Sequence, residues 1–125
     1  AYFSRSIAIA AQAGIDENRL ILDPGFGFGK TLAENYAILQ HFTGKPPACL
    51  QQTASMPVLI GTSRKSMIGK LLGNQPDERL AGTIATNVLG YMNGGHIFRV
   101  HDIRANRDAL RVAQAVLYGP PETVE

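Results

Sequence analysis

The chain is 125 residues long, 45% of them apolar and 18% charged, with 13 glycines and 7 prolines. This composition excludes a disordered chain and points to a compact domain with many tight turns. Twelve Lys and Arg against ten Asp and Glu leave a net charge of +2, too mild for the concentrated basic patch of a nucleic-acid partner, and no apolar run approaches the about 18 residues of a membrane span, so a soluble, cytoplasmic protein is expected.

Ala1-Tyr2-Phe3 carries no initiator methionine and runs straight into a helical pattern, so a piece of a longer chain is expected. Residues 5–13 are alanine-rich and stop at Gly14, which reads as a helix and its terminator. Leu20-Ile21-Leu22, cut off by Asp23-Pro24-Gly25, suits a buried parallel strand. Leu32, Tyr36, Leu39 and Phe42 recur at helical spacing and predict a helix over 32–42, whereas 43–56 shows no period and is read as an irregular loop. The single cysteine, Cys49, falls in that loop, without a disulfide partner or metal-ligand spacing. Val58-Leu59-Ile60 forms a second strand, followed by a helix from about Ser66 through Leu72, a turn over 73–78 and a small-residue helix over 79–93. His96 to Val100 is the third strand, and Ile103 to Tyr118 the closing helix, with Leu110, Val112, Val116 and Leu117 as candidates for burial. The tail from Gly119 is read as loose. Phe42, Met67 and Met92 read as core, while His41 and His96 have no partners at useful spacing.

Strands alternating with helices in this order are βα units feeding a parallel sheet. Three parallel strands cannot close a barrel, which takes eight strands and about 250 residues. The fold class is therefore α/β, as a small open sheet or as part of something larger.

Each strand ends in a polar or glycine cluster, and in parallel α/β folds the carboxyl ends of neighbouring strands face one pocket. In Asp23-Pro24-Gly25-Phe26-Gly27-Phe28-Gly29-Lys30, a phosphate-loop match fails because Pro24 stands where the first glycine belongs, and a dinucleotide fingerprint fails on spacing. What remains is a carboxylate at a strand tip, able to accept two hydrogen bonds from an amidine-like ring edge, and two outward-looking phenylalanines; the plainer alternative is a turn aspartate. Gly61-Thr62-Ser63-Arg64-Lys65-Ser66 puts Ser63 and Lys65 at a strand-to-helix turn suited to an anion, or else leaves a solvated Arg64-Lys65 pair beside a serine cap. In Arg99-Val100-His101-Asp102, Arg99 and His101 share one face of a strand, as a guanidinium-imidazole couple suited to a di-anionic leaving group. The alternative is an acid-paired arginine and a backbone-satisfied histidine, with Asp102 capping the last helix.

Taken together, LILDPGFGFGK (20–30), PVLIGTSRKSMI (57–68) and IFRVHD (97–102), with PDERLAGT (76–83) between the last two, resemble the C-terminal half of the dihydropteroate synthase family. The likeness runs from the helix before Gly14 to Tyr118. It implies a (β/α)8 TIM barrel, of which 1–125 would be a C-terminal fragment of one pterin-binding domain supplying the last three strands. It implies condensation of 6-hydroxymethyl-7,8-dihydropterin pyrophosphate with p-aminobenzoate to 7,8-dihydropteroate and pyrophosphate in folate biosynthesis, with Mg2+. It also implies a homodimer as the full-length protein, and sensitivity to sulfonamides. By this resemblance Asp23 would hold the pterin's amino and ring nitrogens and Lys65 its carbonyl region. Phe28 would line the p-aminobenzoate side, Ser66 would hold the carboxylate, and Gly61 would leave room for the ring. Arg99 would pack over the ring and with His101 bind phosphate. Gly27 and Ser63 complete the substrate-binding set, and Lys65, Arg99 and His101 the catalytic one. No metal ligand is expected in this chain, Mg2+ being held by the missing half or through pyrophosphate. Two departures are the length of 43–56 and the absence of the family's first strands, so the fragment alone is expected to be inactive. The alternatives are a non-catalytic pterin-binding module and a phosphate-loop nucleotide-binding protein using Gly25 to Thr31.

Overall fold

The computed structural model describes residues 2–41 and 56–122. The expected loop at 43–56 lies outside the described residues apart from Met56, as do Phe42, Cys49 and 123–125. Five helices are described, α1 (Tyr2–Gln12), α2 (Leu32–His41), α3 (Ser66–Leu72), α4 (Leu80–Met92) and α5 (Ile103–Tyr118), with two strands, β1 (Leu59–Ile60) and β2 (Ile97–Phe98). Short 3-10 turns at Glu17–Arg19 and Pro76–Glu78 occupy the polar stretches between them. The helices start and stop where local chemistry directs. After α1, Ile15 N–H reaches back to Ala10 C=O and Gly14 N–H to Ala11 C=O, both at 3.0 Å, the paired bonds of a Schellman ending. At the start of α2, Thr31 and Glu34 exchange side-chain-to-backbone bonds of 3.2 and 3.4 Å, a capping box.

The strand segments lie side by side in chain order and all run parallel. Leu22 bridges Val58, and β1 pairs β2 with Leu59 opposite Ile97 and Ile60 opposite Phe98. Helices occupy each crossover. The expected strand at 20–22 is reduced to that single bridge, for a definite reason. Leu22 N–H donates to Pro57 C=O and Leu59 N–H to Leu22 C=O, and the next donors along the ladder in each direction would be Pro57 and Pro24, which have no N–H. The third strand is likewise shorter than 96–100: pairing ends with Arg99 N–H donating to Ile60 C=O at 3.1 Å, and residues 99–102 form an irregular tip.

The core joins the sheet to the helices through Phe26, Leu39, Ile60, Met67 and Ile68, with Tyr36, Val58 and Phe98 packed on it. Phe26 is fully buried, against the expectation that both loop phenylalanines look outward, while Phe28 is 75% exposed. α4 crosses β1 at short range because two glycines allow it; a Cβ on Gly95 would stand 2.7 Å from Ile60 Cγ1. Met67 is core as expected, but Met92 is exposed, as are Val112, Val116 and Leu117 on α5. α5 meets α4 through Asn106 and Ala113, small or hydrogen-bonding residues that allow close approach, and Leu110 is half-buried. Tyr36 donates its hydroxyl to Met67 C=O at 2.7 Å, tying α2 to α3, and burial pushes that phenol's pKa up. His96 has a structural place, its Nδ1 accepting Val58 N–H and its own N–H donating to Val58 C=O. Among the described residues no helix is long and apolar enough to cross a membrane.

Polar side chains buried between β1, α4 and α5 form two short hydrogen-bonded chains. Thr62 Oγ1 meets Thr86 Oγ1 at 2.8 Å, and Thr86 donates to Thr83 C=O at 2.8 Å, so the proton between the two hydroxyls belongs to Thr62. Asn87 Nδ2 donates to Asn106 Oδ1 at 2.8 Å, and Asn106 Nδ2 to Asp102 C=O at 2.9 Å. On the far side of α3, Arg79 donates to Arg64 C=O at 2.8 Å and Asn74 C=O at 2.9 Å, its guanidinium lying where a side chain on Gly69 would be.

Gly69→Ala sets two magnitudes against each other. The helix gains about 1 kcal/mol from alanine, but the methyl collides with Arg79 and forfeits bonds worth about 1.5–3 kcal/mol each. The denaturation midpoint falls, corresponding to a net loss of about 2 kcal/mol; an unchanged or raised midpoint contradicts the clamp. In an Arg79→Ala background the same alanine becomes stabilising.

Candidate functional site

The first strand tip turns immediately into a glycine loop. Asp23 Oδ1 accepts Gly25 N–H at 2.9 Å, the local turn that aspartate makes readily, and among the described residues its second oxygen has no hydrogen-bond partner. Gly25, Gly27 and Gly29 take φ of +73°, +84° and +61°, conformations other residues resist, and the alternation sends Phe26 into the core and leaves Phe28 outside. Two side chains hold the loop. Lys30 Nζ donates to Gly25 C=O at 2.8 Å and Phe28 C=O at 3.2 Å, and buried Asn35 accepts Gly27 N–H at 2.8 Å while donating to Thr31 C=O at 3.0 Å. With its ammonium spent on the loop's own carbonyls, Lys30 is in the reverse of a phosphate cradle, where N–H groups face the ligand. The nucleotide alternative fails here.

The second tip carries the sharpest change of direction. Arg64 has φ +56°, the one described residue other than glycine with a positive φ. Its N–H donates to Thr83 Oγ1 at 3.1 Å, its C=O accepts Arg79, and its guanidinium pairs with Asp102, Nη2 to Oδ1 at 3.0 Å. Asp102 therefore occupies the N-cap position just before α5 without capping it by its side chain, because the guanidinium is the stronger partner. The solvated Arg64-Lys65 pair is not observed. Lys65 turns back over the glycine loop, where Nζ donates to Phe26 C=O at 2.6 Å and lies 5.1 Å from the centre of the Phe28 ring, within range of a cation–π attraction. Burial lowers the Lys65 pKa from its ordinary 10.5; Asp23 opposes the fall, while Arg99 and Lys30 add to it.

At the third tip, Ser63 Oγ and His101 Nδ1 are 2.7 Å apart, and His101 N–H donates to the same oxygen at 3.1 Å. Arg99 is exposed, with no ion pair or side-chain hydrogen bond among the described residues.

The three tips line one cavity of about 520 Å3, within the range of small-molecule sites. Asp23, Phe28, Gly61, Ser63, Lys65, Arg99 and His101 all contribute to it. Gly27 and Ser66 do not. Gly27 stands behind the wall, where a Cβ would touch the Lys65 stem at 3.5 Å, and Ser66 is exposed at the start of α3. On Gly61 a Cβ would lie 3.7 Å from Lys65 Nζ, in the space the cavity uses. The cavity thus offers one carboxylate, two cations, an imidazole and an aromatic face. Among the described residues no three His, Cys, Asp or Glu converge as a metal site. With Asp23 its one carboxylate, the cavity does not by itself fit Mg2+.

The sequence reading missed Asn35. A signal was present: it occupies the apolar stripe of α2 with Leu32, Tyr36 and Leu39, and a polar residue on such a stripe needs a buried partner.

A sequence profile of the family described as pterin binding enzyme matches residues 1–101. Among curated proteins the chain is similar to the dihydropteroate synthase of Escherichia coli (strain K12), 46% identical over 122 residues covering 93% of this chain and 39% of that protein. It is also similar to that of Bacillus subtilis (strain 168), 42% identical over 115 residues covering 90% and 37%. Among solved structures it is similar to dihydropteroate synthase from Xanthomonas albilineans in complex with 7,8-dihydropteroate, with TM-score 0.84, 43% identity, and coverage of 95% of this chain and 45% of that one. The Yersinia pestis enzyme with a sulfonamide drug complex gives TM-score 0.81, 41% identity, and coverage of 93% and 40%. The chain spans about two fifths of the length of the curated relatives it matches. Its strand segments and helices are a sector of the (β/α)8 barrel.

Asn35→Ala leaves Gly27 N–H without its partner, while Thr31 C=O keeps only the backbone N–H of residue 35. Stability drops by about 1–3 kcal/mol in a denaturant titration, and the Gly27 amide exchanges its hydrogen faster. An unaltered Gly27 exchange rate would show that something else holds the loop.

Proposed function

Since the chain belongs to the pterin binding enzyme family, we propose that it is the carboxyl-terminal share of a dihydropteroate synthase and supplies one wall of its active site. The observation that carries the reading is the convergence of Asp23, Lys65, Arg99 and His101 on one cavity from three separate strand tips. In this reading the complete enzyme is a cytoplasmic homodimer that joins p-aminobenzoate to 6-hydroxymethyl-7,8-dihydropterin pyrophosphate, and activity belongs to the complete chain.

The chemistry asked of these residues is modest. The aniline nitrogen attacks the methylene carbon of the pterin, the carbon–oxygen bond to pyrophosphate breaks, and the nitrogen gives up a proton to solvent. Positive charge develops on the methylene as the diphosphate leaves with the bonding electrons, so the wall must anchor the ring and stabilise a departing anion. Asp23, with one oxygen occupied by Gly25 N–H, offers the other to the amino and ring N–H groups. Lys65 donates to the ring carbonyl, Phe28 lines the p-aminobenzoate side, and Arg99 and His101 take the diphosphate. The aniline nitrogen is nucleophilic without a base, so positioning supplies much of the rate. No step is routed through Mg2+, whose ligands this cavity does not provide.

Calorimetry on the complete enzyme, with the pterin pyrophosphate and with the hydroxymethyl pterin lacking it, tests the assignment. The pyrophosphate form binds more tightly. Asp23→Asn weakens both by about 1–3 kcal/mol, roughly 5- to 150-fold, because an amide brings one unwanted donor. Arg99→Ala weakens the pyrophosphate form more than the hydroxymethyl pterin, which loses only the packing of the guanidinium over the ring. Equal affinity of the unaltered enzyme for both ligands rejects the leaving-group role and favours a non-catalytic binding module. Lys65 adds a pH signature: its lowered pKa means that the ammonium, and the affinity it contributes, is lost at a less alkaline pH than an ordinary lysine near 10.5 would give. Ligand titrations across the alkaline range, compared with Lys65→Met, read this loss.

A further inference from the structure

Ser63 lines the cavity, yet its hydroxyl is committed elsewhere. It is buried, accepts His101 N–H at 3.1 Å and lies 2.7 Å from His101 Nδ1. A hydroxyl has one hydrogen and two lone pairs. If the neutral ring carried its proton on Nδ1, Oγ would accept twice, and its own hydrogen, for which the described residues offer no other acceptor, would have to find one in the cavity. If Oγ–H donates to Nδ1, every group is satisfied, and the ring proton of neutral His101 sits on Nε2.

We propose that Ser63 is a positioning residue that fixes neutral His101 as the Nε2–H tautomer, so that the ring presents a hydrogen-bond donor to an anion in the cavity whether it is charged or neutral. This rests on the anion-binding reading of the cavity given above. When the ring gains a second proton, Nδ1–H donates to Oγ instead, the hydroxyl hydrogen turns away, and Nε2 remains a donor. Without Ser63 the neutral ring divides between two tautomers, one of which points a lone pair at the anion, whereas the charged ring is a donor at both nitrogens regardless. The role of Ser63 is therefore specific to the neutral ring. The charged groups sharing the cavity lining with His101 are Asp23, Lys65 and Arg99. Asp102, next in the chain, is paired with Arg64.

Two measurements on the complete enzyme decide the matter. Nitrogen-15 spectra of labelled histidine report the tautomer directly near pH 8.5. The unaltered enzyme and Ser63→Thr, which keeps the hydroxyl, show His101 protonated on Nε2, and Ser63→Ala shows a tautomer mixture. Sulfate, whose charge is constant over the range, is then titrated near pH 5 and near pH 8.5. Ser63→Ala loses about fivefold in affinity at the higher pH and less than about twofold at the lower, and Ser63→Thr restores the parent value. Taking the ratio to the parent at each pH cancels the titration of the other groups. An Nδ1–H ring in the unaltered enzyme, a single Nε2–H tautomer surviving in Ser63→Ala, or equal losses at both pH values overturns the proposal. Failure of the unaltered enzyme to bind sulfate at either pH instead rejects the anion-binding reading, while the ring spectra still decide the tautomer.

Discussion

Side-chain hydrogen bonds, rather than strand pairing, hold the second and third tips of this sheet together. β1 and β2 share two residue pairs, and the backbone ladder is spent once Arg99 has donated to Ile60 C=O. Everything chemical lies beyond that point. There Ser63 joins His101 and Arg64 joins Asp102, while Asn87 on α4 and Asn106 on α5 carry a further tie to the Asp102 carbonyl. Each buried polar group needs its partner at a fixed distance, and each partner sits on a different element. These bonds therefore specify the relative placement of β1, α4 and α5 more tightly than apolar packing would, because a sliding hydrophobic contact loses little and a broken buried bond loses much.

The first tip is attached by a different means. Its loop is anchored inward by Phe26 and Asn35 and bridged to the second tip by Lys65, whose ammonium binds Phe26 C=O beneath the Phe28 ring. One side chain thus belongs to two tips, joining the loop that presents an aromatic face to the strand end that presents the polar groups. The same position depresses its pKa through burial, despite the nearby Asp23 carboxylate. A ligand entering the cavity meets an ammonium that is already partly desolvated and oriented, which reduces the cost of ordering it on binding.

Much of this arrangement was legible in the sequence because it rests on local chemistry. The helices α3 and α5 begin and end as read, and seven of the nine candidate residues line one cavity, since strand tips in parallel sheets converge whatever the connecting helices do. The errors have a common origin in long-range pairing. Pro24 and Pro57 are far apart in sequence, and their joint veto on the ladder around Leu22 is visible only when the two segments are neighbours. Asp102 looks like a cap until Arg64 arrives from the preceding unit. Phe26 and Phe28 are indistinguishable in composition, and positive-φ glycines decide which one enters the core. On α5 Leu110 is half-buried but Val112, Val116 and Leu117 are exposed, so apolar character alone did not separate the packed face from the outer one.

Arg64 shows how far a single backbone reversal reaches. A left-handed conformation costs an ordinary residue about 1–2 kcal/mol, and here all three of its polar groups are engaged in compensation, toward Thr83, Arg79 and Asp102. That kink swings the following residue inward over the glycine loop while the next one opens a helix outside the cavity. Lys65 thus enters the cavity lining and Ser66 stays out of it. The direction of one peptide plane thus selects which functional group the cavity receives, so a substitution at a residue absent from the cavity lining has the means to change the cavity's charge.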